Sequence, residues 1–516
     1  QPPKTPLTGD QFFLRRVSLD LIGRNPTTRE LKAFTAGRSP QKRSTTIDRL
    51  LADKRFGENW GRYWRNVILS RQVDPRAFYV SRAVYRYFAD TFNTGGAWDE
   101  LARAFVTAEG NVSENGNTAI YMAQMGRTSE TAAEISRIFM GVQIQCAQCH
   151  DHPWDRWKRE QFHQFAAFFP RVRVSSIRNE ENRRVGYKVA TRTSSRRYSR
   201  FRRSGEHYMP SLENPRSRGR MMQPVLFATD QKLRLGISDK VRRESLARWM
   251  TSPDNPWFAR AFVNRTWGEL VGEGFYEPLD DLGPDRTCTA PKTLDLLAKQ
   301  FVASGHDIKW LFRTITNTRA YQRESRPRRQ SDETPFAASC PQPLRAEQVY
   351  NSLVSTLGLD SSRGFSFGRS SSSRSLRSTV TRIFGFDPSL PRGDVTRSIP
   401  QKLFLMNSRT LNRAINAKST RTVLGRLVDL SWRARLQPID RGWLDMAFSV
   451  PLLDCGRART ELGWQPRWSA AEALRDVLGG VADGAHTVSP PLRRHPPASL
   501  RFRSPRRRHN GTIAGR

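Results

Sequence analysis

The chain has 516 residues, 37% of them hydrophobic, and a formal net charge of +38 from 86 Lys and Arg against 48 Asp and Glu. This is enough apolar sequence for two or three cores, and no run approaches the roughly 20 apolar residues that span a bilayer, so no transmembrane helix is expected. Five cysteines, three of them isolated (Cys288, Cys340 and Cys455), exclude a disulfide framework. The first residue is Gln and no charged-then-apolar leader precedes the first helix signals, as expected of a mature or truncated piece.

In chain order, Asp10 is placed to cap a helix with Phe13, Val17 and Leu21 on one face, stopped by Gly23. Thr27 and Glu30 have capping-box spacing before Leu31 and Phe34, and Gly37 closes that turn. Ser39–Pro40 reads as cap and first position of a helix burying Ile47, Leu50 and Leu51. Glu58–Val67, with Trp60, Tyr63 and Trp64, reads as an aromatic helix. A further helix starts near Thr128 or Ser129, carries Ile135, Ile138, Phe139 and Val142 on one stripe, and delivers the chain to Cys146.

Residues 171–220 hold fifteen Lys and Arg against four acids, and residues 491–516 hold eight Arg and no acid. Both are expected to be solvated loop and tail. Tyr198, Phe201 and Tyr208 interleave with Arg as stacking on a single strand would require, so acidic polymers and non-specific nucleic acid are the candidate partners of residues 171–220. No helix-turn-helix, zinc-finger or RNA-sheet pattern accompanies them.

Helical periodicity returns at Arg243–Met250, and Asn255–Pro256 is placed to cap a helix with Phe258, Phe262, Val263 and Trp267 inward. Pro291–Ser304 aligns Leu294, Leu297 and Phe301, Asp307 caps a helix with Ile308, Leu311, Phe312 and Ile315, and Leu344–Leu357 adds Val349, Leu353 and Leu357. Residues 361–378, rich in Ser and Arg, are expected to form a loop. Strand patterns are few, so the expected class is mainly α: helical domains at 10–170 and 236–410 joined by a basic region at 171–235, and a poorly packed or disordered tail at 411–516. Asn264, Arg265, Asp280 and Asp281 form a polar cluster that either lines a site or, as such residues on an amphipathic helix more often do, satisfies carbonyls and pairs with nearby acids.

The chemistry concentrates in Cys146-Ala-Gln-Cys149-His150-Asp151-His152. Two thiols three residues apart can each add to a haem vinyl group, and the adjacent His150 then presents its imidazole to the iron as proximal ligand. Three other readings compete: zinc held by the cysteines with His150, His152 or His163, a redox disulfide, and buried structural thiols. For a haem, His163 and Met140 are the distal candidates, and His152 with Asp151 or Asp155 would orient the site by bonding the groups that ligate the iron. No catalytic constellation stands out.

Three stretches, FLRRVSLDLIGRNPT (Phe13–Thr27), RFGENWGRYW (Arg55–Trp64) and FMGVQIQCAQCHDHPWDRWKREQFHQFAAFF (Phe139–Phe169), resemble the planctomycete cytochrome-like family. Glu244–Pro284 and Phe301–Ser325 resemble its companion C-terminal domain of unknown function, and together the likeness spans roughly residues 10–410. It implies a haem-containing protein that is periplasmic, at the cell surface or secreted, and it carries over no catalytic residue. Leu427–Pro491 resembles the C-terminal tail of an NAD-dependent sugar-nucleotide epimerase. That enzyme's glycine-rich fingerprint and Tyr-x-x-x-Lys are absent from the sequence, so epimerase activity is not expected, and the junction near 410–426 reads as a fusion or an assembly artefact.

Overall fold

The computed structural model describes residues 5–191, 205–214, 216–329, 334–359, 376–390, 395 and 398–415, with isolated positions at 430, 465, 472 and 475. The chain divides into two units, Gln1–Leu403 and Phe404–Arg516. In the second, the described residues include the helix Arg409–Ile415, and the epimerase-like stretch and Arg/Pro-rich end lie almost entirely outside the described residues. The first unit is mainly α.

The predicted punctuation forms most of its first helices. In α1 (Asp10–Ile22), Phe13, Leu14, Val17 and Leu21 are buried and Gly23 closes the helix at φ +67°, a conformation that favours glycine. Asp10 lies one position inside the helix, where it pairs with Lys42 and Arg43. Thr27 and Glu30 form the expected capping box of α2 (Thr28–Ala36). The next helix, α3 (Lys42–Leu51), begins two residues after Pro40, because Ser39 Oγ accepts from Gln41 N and closes a turn first. The aromatic helix α4 (Arg55–Leu69) packs along α5 (Ser81–Thr94), where Gly57 and Gly61 let the backbones meet: a Cβ on either would fall within 3.0 Å of Ala89. Trp64 of α4 stacks on Phe88 of α5 and also meets Trp98 of α6 (Trp98–Val106) and Phe262.

Beyond the short α7 (Ala119–Ala123), α8 (Thr128–Ile135) runs into a wide π turn, Ser136–Met140, that ends at Gly141 with φ +62°. Ile135, Ile138, Phe139 and Val142 are all buried, as their spacing predicts. After the cysteine turn comes α9 (Arg159–Ala166).

The basic segment departs from the expected loop. Strands β1 (Gly110–Asn111), β2 (Val172–Arg178) and β3 (Arg184–Thr191) form an antiparallel sheet in the order β1-β3-β2, with Val174 opposite Val189 and Ser176 opposite Tyr187. The alternation is present in Val172-Arg-Val-Ser-Ser and Tyr187-Lys-Val-Ala-Thr. Val172, Tyr187 and Val189 face the core while Arg173 and Lys188 face solvent, so the arginines mask the period without breaking it. Two short ribbons follow, β4 (Tyr208–Met209) with β5 (Arg220–Met221) and β6 (Val225–Leu226) with β7 (Gln231–Lys232). Tyr198 and Phe201, named for single-strand stacking, lie outside the described residues, as does most of the expected loop at 361–378.

The second family-like stretch forms α10 (Asp239–Met250), α11 (Phe258–Val271), α12 (Pro291–Ala303), α13 (Ile308–Asn317), α14 (Arg319–Gln322) and α15 (Ala346–Leu357). Asp307 caps α13 through Trp310 N as expected, whereas Asn255 bonds Trp257 N just ahead of α11. In α15 the buried side carries Ala346, Glu347, Gln348 and Tyr350 in place of the predicted Val349, Leu353 and Leu357. Gln348 Nε2 donates to Leu19 O and Glu347 accepts from Arg377, so the helix docks through polar partners that periodicity does not reveal.

One hydrophobic cluster runs through both family-like stretches: Trp98 stacks on Phe262 at 4.1 Å, and Trp60 meets Phe312 at 4.5 Å. At its polar centre lies Asp280. Arg137 Nη1 donates to Asp280 Oδ2 (2.7 Å) and Ser389 Oγ (2.6 Å), while its Nη2 reaches Glu134 Oε2 (2.6 Å) and Val67 O (3.0 Å). Arg265 Nη2 adds a second bond to Asp280 Oδ2 (3.0 Å), Nη1 lies 3.2 Å from the Tyr63 hydroxyl, and Gln143 Nε2 fills Oδ1 (3.0 Å). Asn264 holds the adjoining loop, donating to Tyr276 O and Leu279 O and accepting from Phe275 N and Tyr276 N. The polar cluster at 264–281 therefore satisfies carbonyls and pairs charges.

Burial alone would raise the Asp280 carboxyl, but Arg137 and Arg265 outweigh it and hold the group down at about 2. Replacing Asp280 with Asn leaves Arg265 buried without the carboxylate it pairs with and Arg137 with Glu134 alone, which should cost about 3–5 kcal/mol. Because the folded value lies below the ordinary 3.8, the carboxylate's contribution is fully present above that pH and is lost as pH falls through about 2. Urea unfolding at neutral pH should show the loss in Asp280→Asn, and the gap to the native chain should close in strong acid; equal stability at pH 7 would contradict the assignment.

Candidate functional site: the Cys146–His150 turn

The π turn and Gly141 redirect the chain out of α8. Leu282 N donates to Gly141 O at 2.6 Å, and a Cβ on Gly141 would come within 3.1 Å of Ala261, so this bend is wedged against the second stretch. Ile144 is buried, Ala147 N donates to Ile144 O (3.0 Å), and Ala147 is fully buried, pinning a single 3-10 turn over Gln145–Gln148. Residues on either side of that anchor point outward. Cys146, Cys149 and His150 are all exposed, and both thiols are free.

His150 Nδ1 lies 2.6 Å from the Asp151 carbonyl. A carbonyl can only accept, so Nδ1 carries the proton and Nε2 has the lone pair that a metal would take. The Asp151 carboxylate is engaged elsewhere, accepting from Arg159 N and Lys158 Nζ at 3.0 Å each, and these two bonds lower its pKa. His152 Nδ1 accepts from Trp154 N at 3.2 Å and bonds neither Asp151 nor Asp155, and the group that holds the His150 ring is the Asp151 backbone carbonyl. Asp155 is buried, with Oδ1 on Arg156 N at 2.8 Å; Oδ2 is enclosed against Gly283 with no partner among the described residues.

The two distal candidates take other positions. Met140 is fully buried in the core at the end of the π turn. His163, on α9, has both nitrogens occupied: Nε2–H donates to Gln148 O (3.0 Å), and Nδ1 accepts from His207 Nε2–H (2.8 Å). The imidazoles stack with centroids 5.1 Å apart. His163 therefore holds the middle of the cysteine turn from behind. Sequence reasoning missed His207, which no local motif marks and which β4 and β5 bring from 57 residues beyond His150. Among the described residues no three His, Cys, Asp or Glu side chains are grouped so as to hold a metal ion, so a zinc set of both cysteines and His152 or His163 would need the turn to rearrange.

In residue type and spacing the turn would suit a covalently held haem: two accessible thiols three residues apart, and an adjacent exposed imidazole with Nδ1 held by a carbonyl. Neither distal candidate is poised beside them.

Burial lowers the pKa of both histidines behind the turn, and the nearby His163 helps to bring His207 down to about 4. A depressed folded value means that the unfolded chain binds more protons between about 4 and the ordinary 6.5, so stability is complete above that window and declines as pH falls through it. The thermal midpoint should drop between pH 6.5 and 4. His207→Gln, which can still donate to His163, should flatten that slope; an unchanged slope would show that the pair titrates normally.

Residues 3–174 match the family model PSCyt2, described as a protein of unknown function (DUF1549), and residues 242–379 match PSD1, described as a protein of unknown function (DUF1553). The two are a known planctomycete-type pair of domains of unknown function. The epimerase-like stretch at 427–491 lies outside both matches. No curated protein and no solved structure matches the chain.

Proposed function

We propose that this chain is a c-type haem protein that transfers electrons outside the cytoplasm, at the periplasmic or cell-surface side or as a secreted protein, as part of a redox complex. The observation that carries this reading is the pairing of two exposed free thiols with an adjacent histidine whose Nδ1 is held by a backbone carbonyl. In this reading Cys146 and Cys149 form the two thioether links, His150 Nε2 is the proximal ligand, and the Asp151 carbonyl fixes its tautomer and ring plane. When bound, the group supplies a one-electron iron couple. The chain's own contribution is a rigid attachment strip: Ala147 in the core and His163 on the Gln148 carbonyl hold the turn while the reactive side chains stay accessible to a partner.

Removal of both sulfurs is a direct test. Protein matured in a host with haem-attachment machinery should keep its haem through denaturation and give a c-type pyridine haemochrome spectrum. Cys146→Ser/Cys149→Ser should lose the covalent haem altogether, and His150→Ala should lose most of it. A colourless native chain carrying one equivalent of zinc would overturn the haem reading and favour a zinc-stabilised scaffold.

A further inference from the structure

The face of α1 turned away from the core repeats at helical spacing: Phe12, Arg15, Arg16, Leu19 and Asp20 line a cleft of about 330 Å³. The opposite wall comes from the second stretch, with Glu269 and Leu270 at the end of α11 and the run Ser339–Arg345 leading into α15. This volume suits one ring-sized ligand. The cleft lies within the first unit and shares no lining residue with the cysteine turn.

Its chemistry is specific. At the rim, Phe12 is 69% exposed and offers an aromatic face to the cleft. Arg15 is fixed beside it by one bond from Nε to Asn25 Oδ1 (3.3 Å), and among the described residues its terminal amines have no protein partner. Deeper, Asp20 Oδ2 accepts from the Tyr321 hydroxyl at 2.8 Å. Glu269 lies beside it, 3.8 Å from Arg345 Nη1, and Gln342 donates to the Glu269 carbonyl at 2.8 Å. A guanidinium fork at the entrance matches a carboxylate. Two carboxyl groups below it are acceptors for hydroxyls, and the aromatic rim offers a surface to C–H groups. We propose that this cleft binds a sugar acid, a ring-sized polyhydroxylated ligand whose carboxylate pairs with Arg15 and whose hydroxyls meet Asp20 and Glu269.

The surroundings of Asp20 give the site a pH signature. Burial pushes its carboxyl up to about 6, against the pull of the Tyr321 hydroxyl, Arg16 and Arg345, with Glu269 adding to the rise. As pH falls from 7 to 5 the carboxyl takes up a proton, one negative charge leaves the cleft, and an anionic ligand should bind severalfold more tightly.

The test is calorimetric titration of the full chain with sodium glucuronate, beside glucose, sodium acetate, inorganic phosphate and a uronate trimer. Saturable glucuronate binding is expected, with glucose, acetate and phosphate each at least tenfold weaker. Arg15→Ala, an exposed change that leaves the core intact, should weaken glucuronate at least tenfold, and Asp20→Asn should abolish the gain in affinity below pH 6. Trimer binding tighter than the monomer would assign the site to the end of an acidic polysaccharide, and equal binding to a free sugar acid; both uphold the proposal. Acetate or phosphate binding as tightly as glucuronate, no saturable heat with glucuronate, or Arg15→Ala binding unchanged would each overturn it.

Discussion

The fold depends on one buried carboxylate. Asp280 is 1% exposed and is enclosed by Arg137 from the π turn, Arg265 from α11 and Gln143 from the segment leading to the cysteines. Moving any of these charges out of water costs several kcal/mol per ion, and the cost is offset only where nearly every donor finds an acceptor. Arg137 meets that condition with two carboxylates, the Ser389 hydroxyl and the Val67 carbonyl. The result is a fixed relation between the two family-like stretches: neither can move away without leaving charge in an apolar core.

That constraint reaches the cysteine turn through short lengths of chain. Arg137 lies in the π turn, Gly141 is bonded by Leu282 two residues after Asp280, and Gln143 returns to the same carboxylate just before the turn begins. A turn whose reactive side chains are exposed would otherwise be the most mobile part of its neighbourhood. Here it is anchored in front by the Asp280 network, in the middle by Ala147, and behind by His163 on Gln148 O. The proposed redox role would draw on this combination, since accessibility would serve a partner and rigidity would limit reorganisation.

What the sequence made legible follows the range of the forces involved. Local ones read well: the Thr27–Glu30 capping box, Gly23, the Asp307 cap and the stripe Ile135–Val142 each depend on neighbours a few residues away. The cysteine motif was visible for the same reason. Elements whose partners are distant read poorly. The polar face of α15 makes sense only beside Leu19 O and Arg377, and His207 matters only because ribbons carry it to His163. The cleft also escaped notice, since Arg15, Asp20 and Phe12 look like the solvated side of an amphipathic helix until Glu269 and Gln342 are placed opposite. The sheet at 172–191 is a different case, for its alternation is local but short, and arginine, serine and glycine around it give the segment the composition of a loop.

Arginine content also needs a different interpretation from the one that net charge invites. A charge of +38 suggests a surface built for polyanions, yet four arginines of the first unit are among its most buried side chains. Arg242 grips both oxygens of Glu206 at 2.6 Å and reaches Ala167 O; Arg243 joins Asp239 at 2.7 Å to the carbonyl of Ala108 at 3.0 Å; Arg137 and Arg265 share Asp280. In each case one guanidinium satisfies acceptors from two or more separate segments, which a lysine, with a compact ammonium and no planar fork, does less well. Glu206, just before His207, illustrates the consequence. By holding that carboxylate, Arg242 of α10 fixes the strand that brings His207 under the cysteine turn. A basic residue remote from the motif in sequence thus helps set its geometry, and the same residue type that raises the net charge acts in the interior as the connector between segments.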